Sequence, residues 1–128
     1  MSENLRQQIR ENLKNKIRAA RKPFRALPGY LTIDDSDIHG LGIFATKDIP
    51  EGEVLGLTHV WYPGCGDWIR TPLGGFYNHF DNPNCESVSK RPAEGVVERY
   101  IYAARPIAAG EEITVFYNLY DKDDEMEL

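Results

Sequence analysis

Leu5, Ile9, Leu13, Ile17 and Ala20 recur at spacings of four, four, four and three. That stripe predicts one amphipathic helix over 3–22, apolar on one side and rich in Arg and Lys on the other. Ser2 stands where an N-cap is needed, and Glu3 lies in the first turn, where the helix dipole favours an acid. Pro23 stops the helix, and Pro28-Gly29 marks a turn. Beyond residue 30 the periodicity changes. Short β-like runs at Tyr30–Ile33, Leu41–Thr46, Glu53–Leu57, Cys85–Lys90, Val96–Ala104 and Glu112–Tyr117 alternate with Gly, Pro and Asp turns. Such a pattern predicts several small sheets rather than a doubly wound α/β domain. Gly64–Gly75 reads as loop, and the acid-rich tail 121–128 as frayed.

One stretch echoes another. Ala45-Thr-Lys-Asp-Ile-Pro-Glu-Gly-Glu-Val-Leu55 and Ala103-Ala-Arg-Pro-Ile-Ala-Ala-Gly-Glu-Glu-Ile113 share Ala, a basic residue, Ile and Gly-Glu at matching places. Both read as strand end, turn and new strand, with Gly52 and Gly110 at positive-φ turn positions. Two copies are too few for a repeat array. They predict two similar corners framing one domain.

Composition narrows the class. The chain has 128 residues, of which 41% are hydrophobic, enough for one domain with a real core. No run of about 18 apolar residues suits a membrane span. The charged N-terminus does not suit a secretory signal. Two cysteines, Cys65 and Cys85, make no disulfide framework, so an intracellular location, cytoplasmic or nuclear, is expected. Charge is uneven: residues 1–29 carry +6 and residues 30–128 carry −11. The basic arm has a solvated face or docks on the acidic body. An acidic body suits a Lys/Arg-rich peptide and argues against nucleic acid as the main ligand.

Three motifs carry candidate chemistry. His39-Gly40-Leu41-Gly42 runs into a strand, and two glycines two apart let backbone approach a ligand. A third glycine and a following helix are missing, which excludes a dinucleotide fingerprint. Asn78-His79 stands behind two aromatics, and Asn82-Pro83-Asn84 follows. Buried Asn and His need hydrogen-bond partners, which a ligand or the backbone supplies. Glu111-Glu112-Ile113-Thr114-Val115-Phe116-Tyr117 is a strand ending in tyrosine.

In this order the three resemble the SET domain of protein lysine methyltransferases. The family pattern G-h-F-A-x-x-x-I-x-x-G-E is matched from Gly42 to Glu53, Asn-His-x-x-x-Pro-Asn from Asn78 to Asn84, and Gly-Glu-Glu-Ile/Leu-Thr-x-x-Tyr from Gly110 to Tyr117. The likeness covers about residues 30–120, between an N-terminal helical arm (1–29) and an acidic tail (121–128). The compact length is similar to the small viral SET methyltransferases, which would place the protein in a host cell. The resemblance implies a mainly β, β-clip-like fold of small sheets with a C-terminal pseudoknot. It implies S-adenosylmethionine as cofactor, held by Gly40, Leu41, Gly42, Asn78 and His79, with Tyr120 over the adenine and Tyr117 as the catalytic residue at the methyl. It implies lysine N-methylation of a basic protein or peptide, and no metal.

The chain departs from the family at several points. Phe80 stands where Ser often follows Asn-His, and Phe116 where many members have Asp. Thr58 stands near a position where an aromatic is common, and the insert Thr58–Leu73 is short. Three other readings compete. His59, Cys65, His79 and Cys85 have the residue types of a zinc site without its paired spacing. The second is a SET-like module that binds a basic peptide or the cofactor without turnover. A second copy pairing through the helix would make a homodimer.

Overall fold

A computed structural model of the chain describes residues 2–19 and 26–116, with the backbone of 126–127. Helix α1 spans Glu3–Ala19. The remainder of the stretch expected to be helical, 20–22, and Pro23 lie outside the described residues. Ser2 is the N-cap: its Oγ accepts from the Leu5 amide at 3.1 Å. No described helix is long and apolar enough to cross a membrane.

Among the described residues nine strands follow: β1 (Leu31–Asp35), β2 (Leu41–Ala45), β3 (Val54–Trp61), β4 (Ile69–Arg70), β5 (Asn78–His79), β6 (Cys85–Ala93), β7 (Val96–Ala103), β8 (Thr114–Val115) and β9 (Met126–Glu127). A five-residue helix, α2 (Pro72–Phe76), lies between β4 and β5. The architecture is mainly β. The antiparallel pair β1–β2 forms one sheet, and the other seven strands form a second in the order β4-β3-β7-β6-β8-β5, with β9 beside β6. The stretch Gly64–Gly75, expected to be loop, therefore holds β4 and most of α2. At the tail, Met126 and Glu127 pair with Val88 and Ser89, so this part is not frayed.

The echoing segments explain the frame, because they bond to each other as twins. Ile49 N donates to Ile107 O at 2.7 Å, and Ile107 N donates to Ile49 O at 2.8 Å. Gly110 N donates to Ala45 O (2.7 Å) and Ala45 N to Glu111 O (2.9 Å); reciprocally, Gly52 N donates to Ala103 O (2.7 Å) and Ala103 N to Glu53 O (2.9 Å). The pairing of Phe44 with Glu112 is matched by that of Tyr102 with Val54. A pseudo-two-fold axis thus passes between Ile49 and Ile107. The twins Ile43/Ile101, Ala45/Ala103, Ile49/Ile107 and Leu55/Ile113 are all buried in one core cluster. Gly52 (φ +86°) and Gly110 (φ +91°) make the two left-handed turns.

The symmetry is broken by what covers each half. Helix α1 lies on the Gly52 corner. Its Ile9 and Leu13 join Val54, Val88, Tyr100 and Tyr102 in a second core cluster. Asn12 Nδ2 donates to Gly52 O at 2.9 Å, and Lys16 Nζ reaches Glu53 Oε1 at 3.4 Å and Tyr30 OH at 2.9 Å. The helix docks on the acidic body through its apolar stripe and Lys16, while Lys14 and Arg18 stay exposed.

Candidate cofactor site

The half on which α1 does not lie carries the candidate site. Strand β5 runs parallel to β8, with Asn78 beside Thr114 and His79 beside Val115. Parallel pairing needs a long connection, and here β6 and β7 form it. Asn84 locks the crossing: its Oδ1 accepts from Thr114 N at 2.9 Å, and its Nδ2 donates to Glu112 O at 2.8 Å. The last residue of the Asn-His-x-x-x-Pro-Asn motif is therefore a buried structural clamp. It ties the start of β6 to β8; the segment expected to form the pseudoknot lies largely outside the described residues.

Asn78, in the same motif, faces the turn before β2. Its Nδ2 lies 3.1 Å from His39 O, 3.1 Å from Leu41 O, 3.1 Å from Ser36 Oγ and 2.8 Å from Glu112 Oε2. An amide nitrogen has two hydrogens, so four acceptors exceed what it can satisfy with full bonds. Ser36 Oγ in turn donates to Glu112, 2.7 Å from Oε1 and 2.9 Å from Oε2, and accepts from Ile38 N at 2.9 Å. The turn itself closes with Ser36 N donating to Gly40 O at 2.8 Å, and Gly40 takes φ +50°. Gly42 is needed for a different reason. A Cβ there would lie 2.9 Å from Glu112 Cδ and 3.2 Å from Asn78 Nδ2, so a side chain would displace the carboxylate.

Gly40, Leu41, Gly42 and Asn78 thus come together. His79 is next along β5, but its ring turns to Phe116, with centroids 4.8 Å apart, and its Nε2 is 3.0 Å from Asp81 Oδ1. Tyr117 and Tyr120 lie outside the described residues. Ser36 and Glu112 join the site without having been singled out in the sequence. Glu112 sits in the third motif, but in a short strand a Glu reads as the polar half of the alternation. Only the antiparallel bridge to Phe44 shows where it points.

The residues considered for zinc disperse. Cys85 is buried in the core, where desolvation pushes its thiol up, and Cys65 is exposed, with Sγ 2.9 Å from Asp67 O. His79 pairs with Asp81. His59 is buried beside Thr58 Oγ1 (2.9 Å), edge-on to the rings of Trp68 and Tyr77. Burial, then the charges of Arg99 and Arg70, hold its pKa down at about 4. Arg99, also buried, lies 4.6 Å from the Trp68 ring centroid.

The SET-domain family model matches residues 61–118. The crystal structure of a Plasmodium falciparum protein, described as a candidate histone methyltransferase, superposes with a TM-score of 0.58 at 22% identity, covering 73% of this chain and 96% of that one. No curated protein matches the chain in sequence. The family model thus matches a little under half of the chain, and the structural likeness shows a SET-type fold.

Proposed function

We propose that this SET-domain protein is an S-adenosylmethionine-dependent protein lysine N-methyltransferase acting on a basic protein or peptide. The observation that carries the reading is the surplus of acceptors around Asn78 Nδ2: two backbone carbonyls, a hydroxyl and a carboxylate within 3.1 Å. A primary ammonium brings three donors and a positive charge, which is what such a cage lacks. The amino-acid end of S-adenosylmethionine carries that group. The cage therefore fits the cofactor, with the exposed Gly40–Leu41 backbone beside it.

Gly40, Leu41 and Asn78 would hold S-adenosylmethionine, which would supply an electrophilic methyl group to a lysine amine. The chain's residues bind and align. Lysine has an ordinary pKa of about 10.4, so a desolvated approach path that disfavours ammonium helps the reaction. Alignment supplies much of the remaining rate. The acidic body, −11 over residues 30–128, draws a basic substrate to the site. Tyr117, which ends the third motif, is the residue assigned to orienting the amine.

Titrating the full chain with S-adenosylhomocysteine, and then following labelled methyl transfer to a panel of basic proteins, tests the reading. Binding with transfer to lysine is expected. Binding without transfer leaves a module that holds the cofactor or a basic peptide. No binding by folded protein overturns the proposal. Tyr117→Phe is expected to lower the single-turnover rate on a lysine peptide with little change in affinity for S-adenosylhomocysteine. Equal rates remove its hydroxyl from the mechanism.

A further inference from the structure

The pseudo-two-fold relation gives Glu112 an internal control. Its twin is Val54, which is fully buried and apolar under helix α1. The frame therefore builds this corner without a carboxylate. Yet Glu112 is half-buried and accepts from both Ser36 Oγ and Asn78 Nδ2. The Gly42 turn also leaves room for it, since any Cβ there would meet the carboxylate. A carboxylate, two carbonyls and a hydroxyl share the two hydrogens of one amide, which leaves acceptor capacity for a cationic donor.

We infer that Glu112 is the anionic group that selects ligands bearing a primary ammonium, and that it sets the orientation of the Asn78 amide for them. The inference rests on the cofactor reading above and adds to it a specificity residue. It predicts discrimination between ligands that share adenosine and sulfur but differ in the amino group. S-adenosylhomocysteine has that group. Its deaminated analogue, 4-(adenosylthio)butanoic acid, keeps every other part. A neutral acceptor at position 112 keeps the hydrogen bonds from Asn78 and loses the charge. Glu112→Gln is the same size and adds a donor that Ser36 Oγ accepts.

The experiment measures the affinity of both ligands for wild type, Glu112→Gln and Glu112→Asp by calorimetry, with thermal melts on the same samples. Wild type is expected to prefer the amine. Glu112→Gln should weaken S-adenosylhomocysteine by about ten- to a hundredfold and leave the deaminated ligand nearly unchanged. Glu112→Asp should keep more of the preference than Glu112→Gln. Equal weakening of both ligands would make Glu112 a purely structural residue and overturn the inference. So would a preference in Glu112→Gln as large as in Glu112→Asp. If Glu112→Gln does not fold, Glu112→Ala takes its place, and an undiminished preference for the amine in that variant would overturn the inference. Wild type that binds neither ligand fails at the cofactor reading itself, whereas wild type that binds both equally fails only here.

Discussion

At the scale of single residues, the site is an arrangement of acceptors around one amide, and its tightest point is Gly42. The glycine is required by space: a methyl there collides with Glu112 and crowds Asn78. Gly42→Ala is therefore expected to push the carboxylate out of its bonds with Ser36 and Asn78. S-adenosylhomocysteine affinity should fall at least about tenfold, as for losing one charge-assisted bond, while the melting temperature drops by a few degrees. An alanine variant that melts like wild type and binds like wild type would show that the cage is not part of the ligand site. Gly40, Gly42 and Asn78 were legible because two glycines two apart allow close backbone approach and an Asn behind two aromatics needs a hydrogen-bond partner. Ser36 and Glu112 were not. A serine in an Asp-rich turn and a glutamate in a strand look like ordinary solvent-facing residues until tertiary pairing brings them to the same amide.

At the scale of elements, periodicity worked where elements are long and failed where they are short. Helix α1 repeats its apolar residue every four positions, and Ile9 and Leu13 are the ones it buries. Helix α2 has no period to read. Its five residues are Pro-Leu-Gly-Gly-Phe, poor helix formers held in place by tertiary contact. Thr71 and Pro72 were the available signal: Thr71 Oγ1 accepts from Gly74 N at 3.3 Å, and proline suits the first helical position. Strand β4 exists only by pairing with His59 and Val60 of β3. For α1, the buried stripe predicts a structural cost. Ile9→Ala, at a fully buried position, should destabilise the fold by about 2–5 kcal/mol in chemical denaturation. A loss below about 1 kcal/mol would mean that the helix merely rests on the body.

The strand pair β3–β7 carries a second, pH-dependent prediction. His59 lies opposite Arg99 on β7 and opposite Arg70 on β4. Its folded pKa of about 4 lies below the ordinary 6.5. Between those values the unfolded chain binds a proton that the folded chain refuses. Stability from this group is full above about pH 6.5 and is lost as the pH falls toward 4, by at most about 3.5 kcal/mol. The His59 ring should keep its neutral-form NMR shifts at pH 5.5. A titration midpoint near 6.5 would contradict the burial that the fold assigns to it.

At the scale of the whole molecule, the duplicated corner is the organising feature, and the differences between its halves are where its two tasks separate. One corner receives α1; its twin, bare of helix among the described residues, faces the site. The two turn glycines measure that division. Gly52 and Gly110 have nearly the same positive φ, so an alanine at either carries a similar backbone strain of about 1–2 kcal/mol. Their surroundings differ. A Cβ on Gly52 would stand 2.9 Å from Leu5 Cδ1 and 3.0 Å from Gln8 Cδ, whereas one on Gly110 meets nothing within 4 Å. Gly52→Ala should therefore cost more than Gly110→Ala by about 0.5–1.5 kcal/mol, the price of shifting two helix side chains. Adding Leu5→Ala relieves the closest contact, so the double variant with Gly52→Ala should be less destabilised than the sum of its parts. With Gly110→Ala the effects should simply add. Denaturant melts of the single and double variants check both statements. Equal losses at the two glycines, or additivity in both pairs, would mean that α1 does not distinguish the halves, and the asymmetry that leaves the Glu112 corner open would need another cause.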